Sequence, residues 1–205
     1  MEVTPQQPGI ILLAAGSASR MGMPKQLLVY RQQPMIRHLL EKLQTLNLPI
    51  CVVLGARAAM IRPVIADFAI QVVECKDWER GMGASLKSGL RAIWQAHPTL
   101  AGVLVCVADQ PFLSAGLLQQ FLTQFQTNEQ PAAIFAARYA SQVIGVPVLF
   151  SRYHFPLLER MEDAAGAKKI LSDQQNNIIP LDFPQGDFDV DRPEDWDFFR
   201  NQSIF

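Results

Sequence analysis

The sequence predicts an α/β fold built on a largely parallel sheet with helices over both faces. Three observations predict it. Short runs that are nearly continuous in apolar residues recur along the chain, as buried parallel strands require. Longer segments between them carry apolar residues at helical spacing. Strands that alternate with helices imply right-handed crossovers and helical layers on each side of the sheet.

In chain order, Gly9–Ala14, Ile50–Leu54 and residues 70–74, 100–108 and 132–137 read as buried strands. Residues 35–46 form a helix with Ile36, Leu39, Leu40 and Leu43 on one stripe. Residues 84–96 repeat the pattern with Leu86, Leu90, Ile93 and Trp94, and residues 114–126 with Leu117, Leu118, Phe121, Leu122 and Phe125. Ser114 is the expected N-cap of the latter, after the Pro111 turn. The C-terminal part is less regular: strands at 146–150 and 178–181, a short helix at 166–172, and a helix at 193–199 begun by Pro193. With no repeat, low-complexity tract or linker, residues 1–205 are read as one domain, with 1–8 expected to be flexible.

Composition narrows the function. Hydrophobic residues make up 49% and charged residues 18% of the 205, which is material for a packed core. A formal net charge of -1 gives no general attraction to nucleic acid or to anionic membrane, so neither is an expected partner. The apolar runs are too short to span a bilayer and the first eight residues lack a signal-peptide pattern, so the expected compartment is the cytoplasm. Cys51, Cys75 and Cys106 lack metal-ligand spacing and are read as reduced residues. His38, His97 and His154 lie outside any catalytic constellation and are read as structural.

In an open α/β sheet the ligand site lies beyond the carboxyl ends of the strands. The first strand runs into Leu13-Ala-Ala-Gly-Ser-Ala-Ser-Arg-Met-Gly-Met-Pro-Lys25. Small residues let the backbone approach a triphosphate and form a nest of N–H groups. Arg20 adds a planar fork and Lys25 a mobile point charge. Glycines at 16 and 22 satisfy neither a G-x-G-x-x-G dinucleotide fingerprint nor a Walker loop. Leu13, Ala14, Ala15, Gly16, Ser17, Arg20 and Lys25 are the candidate nucleotide-binding residues, with an ordinary strand-to-helix turn carrying surface basic residues as the competing reading.

This loop resembles the signature loop of the nucleotidyltransferase superfamily that includes the molybdenum cofactor cytidylyl- and guanylyltransferases, the cytidylyltransferase of isoprenoid biosynthesis and sugar-phosphate pyrophosphorylases. The resemblance implies a three-layer Rossmann-like sandwich with a mostly parallel mixed sheet, of the nucleotide-diphospho-sugar transferase type. It also implies that the loop wraps the triphosphate and that Arg20 and Lys25 act catalytically by neutralising charge on its phosphates. Ala14-Ala15-Gly16, in place of paired glycines, resembles the cytidylyltransferases more than the guanylyltransferases.

Other segments follow in the family's order. Trp78-Glu-Arg-Gly-Met-Gly-Ala-Ser-Leu-Lys-Ser-Gly-Leu90 opens a helix. Gly81 and Gly83 allow close approach beside free N–H groups, and Ser85 can donate or accept near a base. Helix entry at Gly83 and capping by Ser85 is the competing reading. The segment resembles the one that contacts the nucleobase in molybdenum cofactor cytidylyltransferases, which makes Gly81 and Ser85 candidate nucleotide ligands. Asp109, at the end of an apolar strand, is placed to bridge Mg²⁺ to phosphates, or else to cap the Pro111 turn. Asp109-Gln-Pro111 is similar to the family's metal-binding strand end.

In the tail, Ile144-Gly-Val-Pro-Val-Leu-Phe150 resembles the segment before the acceptor pocket and points to Gly145. Glu162-Asp-Ala-Ala-Gly-Ala-Lys-Lys-Ile-Leu171 is similar to an acceptor-binding Gly-Asp-x-Gly-Ala-Arg stretch, with Lys168 where the family has Arg. A solvated lysine pair on a surface helix is the alternative. Phe188-Asp-Val-Asp-Arg-Pro-Glu-Asp-Trp196 resembles the second metal motif, with Asp191 matching the ligand. The resemblance implies transfer of NMP, CMP from CTP by preference, to a phosphorylated acceptor with release of pyrophosphate. It further implies Mg²⁺ (or Mn²⁺) held by Asp109 and Asp191, and molybdopterin-molybdenum as acceptor. A sugar or polyol phosphate is the alternative acceptor. A non-catalytic nucleotide-binding assembly factor for a recipient molybdenum enzyme is the alternative of another class.

Overall fold

The computed structural model describes residues 7–16, 23–190 and 192–201. The apolar runs become strands because a run of five or six residues can bury both faces only between two helical layers. In order, the elements are β1 (Gly9–Ala14), β2 (Val29–Tyr30), β3 (Gln33–Pro34), α1 (Met35–Gln44), β4 (Ile50–Leu54) and α2 (Ala58–Ile61). They continue with β5 (Gln71–Glu74), α3 (Met82–Ala96), β6 (Gly102–Val107), α4 (Ala115–Thr127) and β7 (Ile134–Arg138). The chain ends with β8 (Ile144–Ser151), α5 (Phe155–Arg160), α6 (Gly166–Asp173), β9 (Ile178–Asp182) and α7 (Pro193–Arg200).

Seven strands form one mixed sheet in the order β5-β4-β1-β6-β8-β7-β9. β5, β4, β1 and β6 are mutually parallel, β8 is antiparallel to both β6 and β7, and β9 is parallel to β7. Six strands therefore point the same way. Their carboxyl ends share one edge with the start of β8.

Side-chain alternation divides the core into two layers. Ile10, Leu12 and Ala14 of β1 face α1, α2 and α4, whereas Ile11 and Leu13 face α3, α5 and α6. Every residue of β1, β4 and β6 is buried. Each Val, Leu or Ile side chain among them contributes roughly 1.5–3 kcal/mol on leaving water. Ser114 caps α4 as its sequence implies, accepting from the Leu117 N–H at 3.2 Å. A third, smaller cluster joins Leu28, Met35 and Val190 with Phe188 and Trp196. Tyr30 packs against Phe199 with centroids 4.9 Å apart, so α7 is docked on the β2–β3 hairpin.

Three differences from the sequence reading have physical causes. β5 lies at the sheet edge, so Gln71–Glu74 is half-buried to exposed and not a buried strand. The β2–β3 hairpin turns through Arg31 and Gln32, at φ 45° and 67°. Neither residue is a glycine or an asparagine, so nothing in its pattern announces a turn. α5 is only six residues long, with Phe155 and Leu158 as its buried positions, too few to display a helical stripe. Among the described residues no helix is long and apolar enough to cross a membrane, and all three cysteines are buried and unpaired.

Candidate active site

The loop after β1 opens at the carboxyl edge. Leu13, Ala14 and Ala15 are buried, and Gly16 is exposed with open space where a Cβ would stand. The side chains of 13–15 belong to the core, leaving their backbone for a ligand. The Leu13 carbonyl accepts from Ala108 N–H at 3.0 Å, and the Ala15 carbonyl from Ala56 N–H at 3.3 Å. Ser17 and Arg20 lie outside the described residues. The chain returns at a single 3-10 turn, Lys25–Leu27, whose Gln26 amide donates to the Ala14 carbonyl at 3.4 Å. That turn points Lys25 across the edge, with its Nζ 3.4 Å from Asp109 Oδ2. The two residues are 84 positions apart in sequence.

Asp109 follows β6 and is about a third exposed, while its neighbour Gln110 is almost wholly buried, at 1%. The tail comes to meet this strand end, where the Val190 N–H donates to the Asp109 carbonyl at 3.3 Å. Asp191 lies outside the described residues. Asp189, one residue before Val190, is exposed. Asp109 and Asp189 both act electrostatically on the Tyr139 hydroxyl, whose pKa is pushed up to about 12, chiefly by burial.

Gly81 and Gly83 have a packing reason. Gly81 has φ 124°, and a Cβ there would come within 2.6 Å of the Asp163 carbonyl oxygen. At Gly83 a Cβ would lie 2.8 Å from that same oxygen, which also accepts the Gly83 N–H at 2.8 Å. The close approach these glycines allow is thus that of residues 162–164. Ser85 is buried inside α3, whose N-cap is Gly81 without a side-chain cap, so the capping role weighed for Ser85 is not seen. The Asp163 carboxylate binds Lys87 of α3 and, at 2.5 Å, Arg80. The hydrogen bond from Lys87 is the main reason its carboxyl is held below the usual range.

On the other side of the edge, Gly145, the second residue of β8, lies against the Tyr139 ring, which occupies the place of its missing Cβ. Lys168 is exposed on α6 and lines a groove with Ile144, Leu171, Gln175 and Pro180. Sequence reasoning passed over Tyr139, Gln110 and Lys42. Lys42 of α1 is half-buried with its Nζ 3.5 Å from the Pro111 carbonyl, and burial lowers its pKa to about 8. A lysine outside the apolar stripe of a helix carries no sequence signal for such a position.

Among the described residues no three His, Cys, Asp or Glu side chains are grouped to hold a metal unaided. Mg²⁺ does not require such a cage, because it takes one or two carboxylates and completes its shell with phosphate oxygens and water. Asp109, with an acidic tail segment hydrogen-bonded beside it and one side open to solvent, is an oxygen-donor set of that kind.

PucB of Bacillus subtilis (strain 168), a purine catabolism protein, is 28% identical over 130 residues, 62% of this chain and 59% of PucB. The match thus spans about three-fifths of that relative's length. The crystal structure of Rv0371c from Mycobacterium tuberculosis H37Rv superposes with a TM-score of 0.82 at 27% identity, covering 97% of this chain and all of that one. The manganese complex of Rv0371c gives 0.77 at 26% identity, over 96% and 99% of the two chains. Molybdopterin-guanine dinucleotide biosynthesis protein A from Archaeoglobus fulgidus shares the fold, with a TM-score of 0.68 at 15% identity over 93% and 95%. Residues 10–178 match the MobA-like NTP transferase domain, so the chain belongs to that family and is a nucleotidyltransferase.

Proposed function

We propose that the protein transfers CMP from CTP to a phosphorylated acceptor, by preference molybdopterin carrying molybdenum, and releases pyrophosphate. The observation that carries this reading is the meeting of Lys25 with Asp109 at the mouth of the loop after β1. A cation for the triphosphate and a carboxylate for its metal stand together there. The manganese complex of Rv0371c supports a divalent cation. The MobA-like family and the shared fold of the archaeal molybdopterin-guanine dinucleotide protein support a pterin acceptor. The Ala14-Ala15-Gly16 loop favours CTP.

In this reading the backbone N–H groups of residues 15–17, with Ser17, cradle the triphosphate, and Arg20 and Lys25 neutralise its charge. Gly81 and Ser85 lie toward the base. Gly145 and Lys168 lie toward the acceptor. Asp109 and Asp191 hold the cation, Mg²⁺ or Mn²⁺, whose contribution is to offset negative charge on the phosphates. An acceptor phosphate oxygen attacks the α-phosphorus in line and pyrophosphate leaves, with no protein nucleophile. Lys25 is a mobile point charge that can turn from Asp109 to the phosphates as charge builds up.

The test is pyrophosphate release from each of the four NTPs with Mg²⁺, using molybdopterin-molybdenum and, separately, sugar and polyol phosphates. Turnover of CTP with the pterin alone is the expected result. Turnover only with a sugar or polyol phosphate would keep the chemistry and discard the acceptor. NTP binding without release from any pair would move the case to an assembly factor.

A further inference from the structure

Gln110 is 1% exposed, yet its amide group faces three oxygens on three separate segments. The Nε2 lies 3.1 Å from Tyr139 Oη, 3.1 Å from the Val146 carbonyl and 2.6 Å from the Gly186 carbonyl. Two N–H bonds thus serve three acceptors. Its Oε1 is buried without a hydrogen-bond partner among the described residues, which is unfavourable by roughly 1–3 kcal/mol. An amide retained under that penalty points to a role other than stability.

Tyr139 completes the arrangement. Its hydroxyl donates to the Val146 carbonyl at 2.7 Å and accepts from Gln110. Its ring fills the space beside both Gly145 and Gly186, where added Cβ atoms would collide with it. The tail is therefore fastened at two places. Phe183 N–H donates to the Arg138 carbonyl at 2.8 Å and Ala140 N–H to the Pro184 carbonyl at 3.2 Å. Four residues past Gly186, Val190 N–H reaches the Asp109 carbonyl.

We infer that Gln110 and Tyr139 are positioning residues that seat the acidic tail segment ending at Val190 against Asp109, so that two carboxylate-bearing segments form one divalent-cation site. This rests on the metal-dependent transfer proposed above. The division of labour between neighbours is plain: Asp109 faces outward to the ligand, and Gln110 faces inward to hold the partner segment. A neutral amide suits the place, because a carboxylate there would oppose two carbonyls and a lysine would compete with the cation. Burial, with the two nearby acids, pushes the pKa of the Tyr139 hydroxyl up to about 12, which suits it as the hydrogen-bond donor to the Val146 carbonyl.

The test uses Tyr139→Phe, which keeps the ring that Gly145 and Gly186 are fitted around, and Gln110→Met, which keeps the volume. Mn²⁺ binding to the whole protein is measured by calorimetry, CTP binding is measured in EDTA, and amide exchange is followed at residues 186–190. Outer-shell partners of metal ligands typically change affinity by 10–100-fold. Each variant is expected to weaken Mn²⁺ binding about tenfold, to speed exchange at 186–190, and to leave CTP binding in EDTA unchanged. Mn²⁺ affinity equal to that of the wild type in both folded variants overturns the inference and leaves the transfer reading intact. A wild-type protein that binds Mn²⁺ in the way described but turns over no NTP sinks the transfer reading alone.

Discussion

Two lysine–carboxylate meetings sit along the same edge of the sheet, and they are built differently. Asp163, with a side chain 15% exposed, is gripped by both Lys87 and Arg80, and its backbone carbonyl caps the start of α3 at Gly83. Asp109 is more exposed, at 36%, and meets Lys25 at a longer 3.4 Å. The first carboxylate is saturated by fixed partners, which leaves little for a ligand. The second keeps an open side, and the cation beside it stands on a single short turn. A tight pair holds a loop, whereas a loose pair at a strand end is available for chemistry.

Five substitutions would break or sharpen that contrast. Asp109→Ala is expected to lower kcat/KM by roughly two to three orders of magnitude, as loss of one charge-stabilising group does, with little change in Tm. Steady-state pyrophosphate release with a thermal scan checks both. Lys25→Ala should follow, at about a hundredfold or roughly 3 kcal/mol of barrier, and full activity in that variant would remove the lysine from the mechanism.

On the other side, Gly83→Ala forces a Cβ against the 162–163 backbone and should destabilise the fold by about 1–3 kcal/mol, read by urea unfolding. Asp163→Asn is expected to lower stability at neutral pH and to leave the Mn²⁺ affinity of the protein unchanged. Because the Asp163 carboxyl is held below its ordinary value, its pairing contributes above the unfolded-state pKa and is lost as pH falls through the folded one. Denaturation curves of the variant and the wild type should therefore converge in acid. Equal stability at pH 7 would show that the tight pair is not structural. The smallest effect is expected at exposed Lys168: Lys168→Ala should raise KM for the acceptor a few-fold and leave kcat alone, and an unchanged KM would withdraw it from acceptor binding.

Much of this was legible in the order of residues. Runs such as Gly9–Ala14 and Ile50–Leu54 declare strands buried on both faces, because only apolar side chains survive between two helical layers. The small-residue loop at 13–16 and the carboxylate at 109 announced the nucleotidyltransferase family, since a phosphate cradle and a strand-end acid are local patterns. What local pattern does not carry is contact across the chain. Gly81 and Gly83 read as positions of close approach, but nothing local says that residues 162–164 are what stands where their side chains would be. Nothing in the local pattern around Lys87, Tyr139 and Gln110 gives any of them a role of its own. Their roles arise only when segments dozens of positions apart are brought together, at 3.1 Å between Gln110 and Tyr139 and across 76 residues between Lys87 and Asp163. By itself the sequence determined the layers, the order of the longer strands and helices and the family, because periodicity and local backbone chemistry act over a few residues. Only the tertiary structure decided which carboxylate is held fast and which stands open, because that depends on which cations and carbonyls the fold carries to its side.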